Sequence, residues 1–235
     1  MLDYNAEGSY SQVIEGLKWA MDNQVNIVSM SFGGKNYSQA LAEAMSLAKE
    51  KGILLFAAAG NDGVNELDYP AKFNSVISVG AVNNEGVRLE GSNTGNELQF
   101  VGRGQDVSGY SLQGEIIVES GTSAATAQAA SIAALYWSNL SSLQPDALLE
   151  LLKTNANSLG SLEEYGYGLI EFVMNKQKNT DKQPSGVDHK ADNKPTIEEN
   201  PPSDFSVSED LEELGRLKLE VERNRLELDR ALQAE

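Results

Sequence analysis

An α/β fold, a parallel sheet flanked by helices, is predicted by three features of this 235-residue sequence. Segments with helical periodicity alternate with short runs of mostly apolar residues, as expected of strands covered by helices on both sides. Those runs end in glycine-rich turns. The order helix, strand, helix, strand implies right-handed crossovers, which place ligand sites at the carboxyl ends of the strands.

The elements follow in order. In SYSQVIEGLKWAMDNQ, Val13, Ile14, Leu17, Ala20 and Met21 share one helical face, and Ser9 with Gln12 has the spacing of a capping box. VNIVSMSF is short, mostly apolar and closed by Gly33-Gly34, so it reads as a strand buried on both faces. Gln39 to Glu50 is a second amphipathic helix stopped by Gly52, and ILLFAAAG is a second buried strand that runs into the turn Gly60-Asn61-Asp62-Gly63. Val76 to Val82 is a third strand. A glycine-rich, weakly patterned region covers Asn83 to Val118. Ser123 to Leu140 is a helix alanine-rich enough to be buried on most sides, and Pro145 suits the first turn of another helix, DALLELLKTNA.

Composition changes at Lys176. Residues 1–175 form the folded domain, and residues 176–208, rich in Lys, Asp, Asn, Pro and Ser, have the signature of a disordered linker. In residues 209–235, Leu214, Leu217, Val221, Asn224, Leu228 and Ala231 recur at alternating spacings of three and four. This segment reads either as a short coiled coil through which the chain would self-associate, or as a solvated single helix, since Gly215 interrupts it.

Charge and composition exclude several classes. A net charge of −17 opposes binding to nucleic acid. No cysteine is present, which removes disulfides and thiolate metal sites. No apolar run is long enough to span a bilayer, and Met1-Leu2-Asp3-Tyr4 lacks the pattern of a signal peptide; the compartment stays open.

Three motifs lie where chemistry would be expected. In Gly121-Thr122-Ser123, a serine at the mouth of a helix would benefit as a nucleophile from the outward N–H groups and the helix dipole, although Thr122 or Ser123 serves equally well as a plain cap. Asn61 follows a strand, where its amide could donate to a developing oxyanion; Asn-Asp-Gly is also an ordinary turn. Ser31-Phe32-Gly33-Gly34 would let an extended peptide approach the backbone and pair as an added strand, or is simply a tight turn.

Taken together and in order, LDYNAEGSYSQVIEGLKWAMDNQVNIVSMSFGG, AAAGNDG, YPAKFNSVISVGAV, SGTSAATA and YGYGLI resemble the subtilisin-like serine peptidases over nearly all of residues 2–172. The resemblance implies a serine endopeptidase in which Ser123 forms the acyl-enzyme and Asn61 supplies the oxyanion-hole side chain, joined by the Ser123 N–H. It implies that Ser31, Phe32, Gly33 and Gly34 bind the main chain of a peptide or protein substrate. Ala57 to Gly60, including Ala59 and Gly60, with Tyr69-Pro70-Ala71, would then wall the pocket for the residue before the scissile bond. No cofactor is required. Members often bind structural calcium, but Asp62 and Asp68 show no ligand spacing, so no calcium site is assigned.

Departures from the family pattern are equally specific. Its serine is usually followed by Met-Ala-Ser/Thr-Pro-His-Val-Ala-Gly, whereas this chain has Ala124, Ala125, Thr126, Ala127, Gln128, Ala129, Ala130 and Ser131. Gly102-Arg103-Gly104 replaces the common Ala-Pro-Gly, which leaves the shape of that loop open. The family's triad runs Asp, His, Ser along the chain. Neither the Asp-Thr/Ser-Gly turn nor the His-Gly-Thr-His helix is present, and the single histidine, His189, falls in the expected linker. The expectation is a partial catalytic domain, inactive alone, whose Asp and His lie on another segment. The alternative is a peptide-binding or assembly module derived from such an enzyme.

Overall fold

The computed structural model describes residues 8–111 and 113–173. The expected linker (176–208) and terminal helix (209–235) lie outside the described residues. Four parallel strands, β1 (Ile27–Met30), β2 (Leu54–Ala58), β3 (Ile77–Val82) and β4 (Phe100–Arg103), form one sheet in the order β1-β2-β3-β4. The register sets Ile27 beside Leu54, Phe56 beside Ile77 and Val79 beside Phe100.

Helices α1 (Tyr10–Asp22) and α2 (Gln39–Glu50) contribute Val13, Leu17, Leu41, Met45 and Ala48 to one core. Helices α3 (Thr122–Asn139) and α4 (Pro145–Asn155) contribute Ala125, Ala129, Ala133, Leu148 and Leu152 to a second. Between them, the side chains of β2 alternate: Leu55 and Ala57 join the first core, Leu54 and Phe56 the second. This period of two, in a strand buried at every position, is why its sequence is apolar throughout. A short helix α5 (Leu162–Tyr165) follows α4.

Local signals behave as the chemistry dictates. Ser9 Oγ accepts from the Gln12 N–H while Gln12 Oε1 accepts from the Ser9 N–H, completing the capping box of α1. Ser38 caps α2 through the Leu41 N–H. Pro145 begins α4, where its missing N–H has no intrahelical partner to lose.

Three expectations are corrected. First, β1 is not buried on both faces: it is the edge of the sheet, with Ser29 exposed and Ile27 and Val28 only half-buried. Its apolar sequence resembles that of β2, but among the described residues no strand pairs with its outer side. Second, α3 is buried on one face rather than most. Thr122, Ala125, Thr126, Ala129, Ala130, Ala133 and Tyr136 face inward at helical spacing, while Ala127, Ser131, Ala134 and Leu135 are exposed. Alanine, tolerated on either face, conceals that division in the sequence.

Third, the weakly patterned region Asn83 to Val118 holds β4 and an antiparallel hairpin of β5 (Val107–Tyr110) and β6 (Ile116–Glu119). β4 reads poorly because Gly102 interrupts it, yet an added Cβ there would lie 2.6 Å from the Ala125 carbonyl oxygen. Close approach of α3 to the sheet requires that glycine.

Candidate active site

The carboxyl ends of β1 and β2 meet the amino terminus of α3. Ser31 Oγ donates to the Ser123 carbonyl at 2.9 Å, and Ser123 Oγ donates to the Ser31 carbonyl at 3.3 Å. This reciprocal pair joins the segment after β1 to the first turn of α3. Ser123 is half-buried and stands second in the helix, where its own N–H has no intrahelical acceptor.

Neither hydroxyl caps α3. The N-cap is Gly121, at φ 136°, a region other residues rarely enter, and an added Cβ would lie 3.1 Å from Asn61 Oδ1. Asn61 instead supplies the cap from a distant segment: its Oδ1 accepts from the Thr122 N–H at 2.9 Å and from Thr122 Oγ1 at 3.0 Å. A backbone donor demands an oxygen, so this contact fixes which way the amide points. Asn61 Nδ2 then has no protein partner among the described residues, and the side chain is exposed. One donor from Asn61 and the Ser123 N–H are therefore left at the mouth of one helix.

Asn93, which the sequence reading passed over, holds the turn that carries Asn61. It is fully buried; its Oδ1 accepts from the N–H groups of Asp62 (2.9 Å) and Val64 (3.3 Å), and its Nδ2 donates to the Ala59 carbonyl (3.3 Å). Its own N–H donates to the Gly60 carbonyl at 3.0 Å. One asparagine thus fastens four residues around Asn61, three through its side chain and Gly60 through its backbone. The only sequence signal was an asparagine in a glycine-rich stretch, which a loop residue gives equally.

The remaining candidate residues lie on three adjoining segments, after β1, after β2 and around Tyr69. Gly34 and Tyr69 exchange both backbone hydrogen bonds at 2.9 Å, so Gly34 has already used its own N–H and C=O. The N–H and C=O of Gly33 have no such partner among the described residues. Phe32 and Tyr69 are half-buried and pack on the first core, while Ala59 and Gly60 are buried. The Asp68 N–H donates to the Ala59 carbonyl at 3.0 Å, which draws the segment before Tyr69 against the end of β2. Lys35 pairs with Asp62 and, at 2.5 Å, with Asp68. Hydrogen bonds donated to Asp62 and then Asp68 hold the Lys35 ammonium above the usual lysine range. Cavities of about 250 and 270 Å³ open instead at the amino ends of the strands, near Val76 and Gln99.

Two departures from the family pattern explain one another. The Arg103 N–H donates to Gln128 Oε1 at 2.9 Å. A proline at 103 would have no such donor, and the glutamine in the helix is what satisfies it. The Arg103 side chain pairs with Glu171 at 2.6 Å and donates to the Asn84 carbonyl at 2.7 Å.

His189 lies outside the described residues, so among them Ser123 has no imidazole beside it. Also among the described residues, no group of three or more His, Cys, Asp or Glu could hold a metal ion, and no helix is long and apolar enough to cross a membrane. No carboxylate cluster among these residues would hold the calcium that family members often bind, so no calcium site is assigned.

Comparison with known proteins completes the picture. The family model described as "Subtilase family" matches residues 1–168. The thermostable alkaline protease of Halalkalibacterium halodurans is 36% identical over 170 residues, covering 72% of this chain and 47% of that protein. Subtilisin DY of Bacillus licheniformis is 36% identical over 174 residues, covering 72% of this chain and 64% of its own. The chain thus spans about half to two thirds of the length of these relatives. Among solved structures, the prenylagaramide maturation protease PagA matches at 27% identity and a TM-score of 0.66, over 73% of this chain and 68% of its own. The self-cleaved protease domain of PatA matches at 27% and 0.64, over 70% and 65% respectively.

Proposed function

From the premise that this chain belongs to the subtilase family, we propose that it carries the nucleophile half of a serine endopeptidase site and is inactive without a second segment. Ser123 Oγ adds to the carbonyl carbon of the scissile bond, and its proton passes to a base supplied with that segment. The carbonyl oxygen becomes an oxyanion that accepts from Asn61 Nδ2 and the Ser123 N–H. The amine leaves with a proton returned by the base. Water then hydrolyses the ester and restores the serine.

The single observation that carries this reading is the Thr122-to-Asn61 hydrogen bond. A turn residue has no need to cap a distant helix, but an oxyanion donor must be fixed before reaction, since preorganisation is what makes it effective. The substrate main chain would run along Ser31 to Gly33, using the Ser31 carbonyl and the unpaired groups of Gly33, with Gly34 retaining its bridge to Tyr69. Ala57, Ala59, Gly60 and Tyr69 would wall the side-chain pocket. Ser123 Oγ, now directed at the Ser31 carbonyl, would have to turn toward its base when substrate binds.

Residues 209–235 would serve self-association if they form a coiled coil, a role independent of the chemistry. The test of function is peptide hydrolysis after the chain is supplied with an amino-terminal segment of a subtilase bearing Asp and His. Ser123→Ala must abolish turnover, and Asn61→Ala must lower kcat by roughly 10²- to 10³-fold with KM little changed. Turnover indifferent to both substitutions would refute the assignment.

A further inference from the structure

We infer that Asp68 makes the pocket for the residue before the scissile bond selective for a lysine or arginine side chain, an inference that rests on the groove reading above. Asp68 lies directly before Tyr69, between the two segments that would hold substrate. A Cβ added at Gly33 would come within 2.8 Å of Asp68 Cβ and 3.2 Å of its Oδ2, and one added at Gly60 within 2.8 Å of the same oxygen. The carboxylate therefore stands against the backbone of both walls, and glycine on each side leaves room for it. Its side chain is 13% exposed, whereas those of Lys35 and Asp62 are more than half exposed. Asp68 is the inner charge and the other two are the rim.

An apolar side chain entering this pocket would strip solvent from that carboxylate and offer no donor in return, which penalises it. A cationic side chain would supply the missing donors and form a charge-assisted hydrogen bond. Lys35 does not cancel this preference. One ammonium faces two carboxylates, so the cluster keeps a net negative charge, and the Lys35 side chain is more than half exposed, so a displaced ammonium returns to water. Its Nζ shows that an alkyl ammonium at 2.5 Å from Asp68 Oδ1 is sterically accommodated. The second wall contributes Asp62 at the rim, where a longer arginine would meet it.

The test is binding, not turnover, so it needs no catalytic base. The full 235-residue chain is titrated calorimetrically with three peptide amides: acetyl-Ala-Ala-Pro-Lys, acetyl-Ala-Ala-Pro-Leu, and the isomer acetyl-Lys-Ala-Pro-Ala, which controls for the chain's overall negative charge. The peptide ending in lysine is expected to bind about tenfold tighter than either of the others. Asp68→Asn should erase that difference, weakening the lysine peptide and tightening the leucine peptide. Lys35→Ala, which removes the competing ammonium and leaves the walls intact, should tighten the lysine peptide several-fold and serves if Asp68→Asn fails to fold. Equal binding of the lysine and leucine peptides, or an advantage shared by the isomer, overturns the inference and leaves the groove standing. Binding of none of the three overturns the groove reading and the inference with it.

Discussion

Ser31 and Ser123 hold each other by two hydrogen bonds, each hydroxyl donating to the other's carbonyl. The nucleophile candidate therefore has its proton directed at a backbone acceptor too weak to remove it. In a working serine site that proton faces an oriented imidazole.

The chain as it stands should accordingly be inert. On a chromogenic peptide anilide, its rate is expected to equal that of Ser123→Ala, since losing the serine or histidine of a subtilisin triad costs near 2 × 10⁶ in kcat. Turnover that disappears with Ser123→Ala would mean that a base is already present.

Asn61 performs two tasks that substitution can separate. Asn61→Ala removes the acceptor for the Thr122 N–H and should cost about 1 kcal/mol, lowering Tm by about 2–4 °C. Asn61→Asp keeps that acceptor and places a negative charge at a helix amino terminus, so Tm should hold. The aspartate lacks the Nδ2 donor, so in a complemented enzyme its kcat should fall nonetheless. A thermal melt and a kcat measurement on the same two variants check both halves.

Loss of Asn93 should loosen the turn from Ala59 to Val64. Asn93→Ala leaves the Asp62 and Val64 N–H groups without their acceptor, at about 1–3 kcal/mol for each donor left buried. Urea denaturation should show a lower midpoint, and amide exchange should accelerate at Asp62 and Val64 before the rest of the sheet. Unchanged protection at both amides would show that other contacts hold the turn.

The pairing of Arg103 with Gln128 predicts a third pattern. Gln128→Ala should destabilise by about 1–3 kcal/mol through the unsatisfied Arg103 N–H, and Gln128→Glu, which keeps an acceptor oxygen, should recover most of the loss. Equal melting of the two variants would mean that water replaces the side chain.

What the sequence disclosed depended on how local its cause was. The capping box at Ser9, the stop at Gly52 and the apolar runs of β2 and β3 are written in neighbouring residues, so those elements were legible, as were the strand ends that carry Ser31 and Asn61. β4 and Asn93 depend on partners far along the chain, Ala125 for Gly102 and Ala59 for Asn93, and a single sequence does not print such pairings. The edge position of β1 was hidden because its composition matches that of an interior strand. The place of Asn61 in a turn after β2 was legible, but its hold on Thr122 was not. The relation of Asp68 to Gly33 and Gly60 likewise exists only once the chain is folded.

The measurement that bears most directly on Ser123 is its labelling by a phosphonofluoridate probe, which reports an activated serine even when turnover is slow. The full chain would be mixed with a separately expressed amino-terminal fragment of a subtilase bearing Asp and His, with that enzyme's propeptide added in trans. The outer side of β1, which no strand among the described residues pairs with, offers the fragment a sheet edge to join. Labelling is expected at Ser123 in the complex and in neither part alone. A stable complex in which Ser123 stays unlabelled, while the intact relative labels normally, would contradict the assignment of Ser123 as a nucleophile and favour a peptide-binding module.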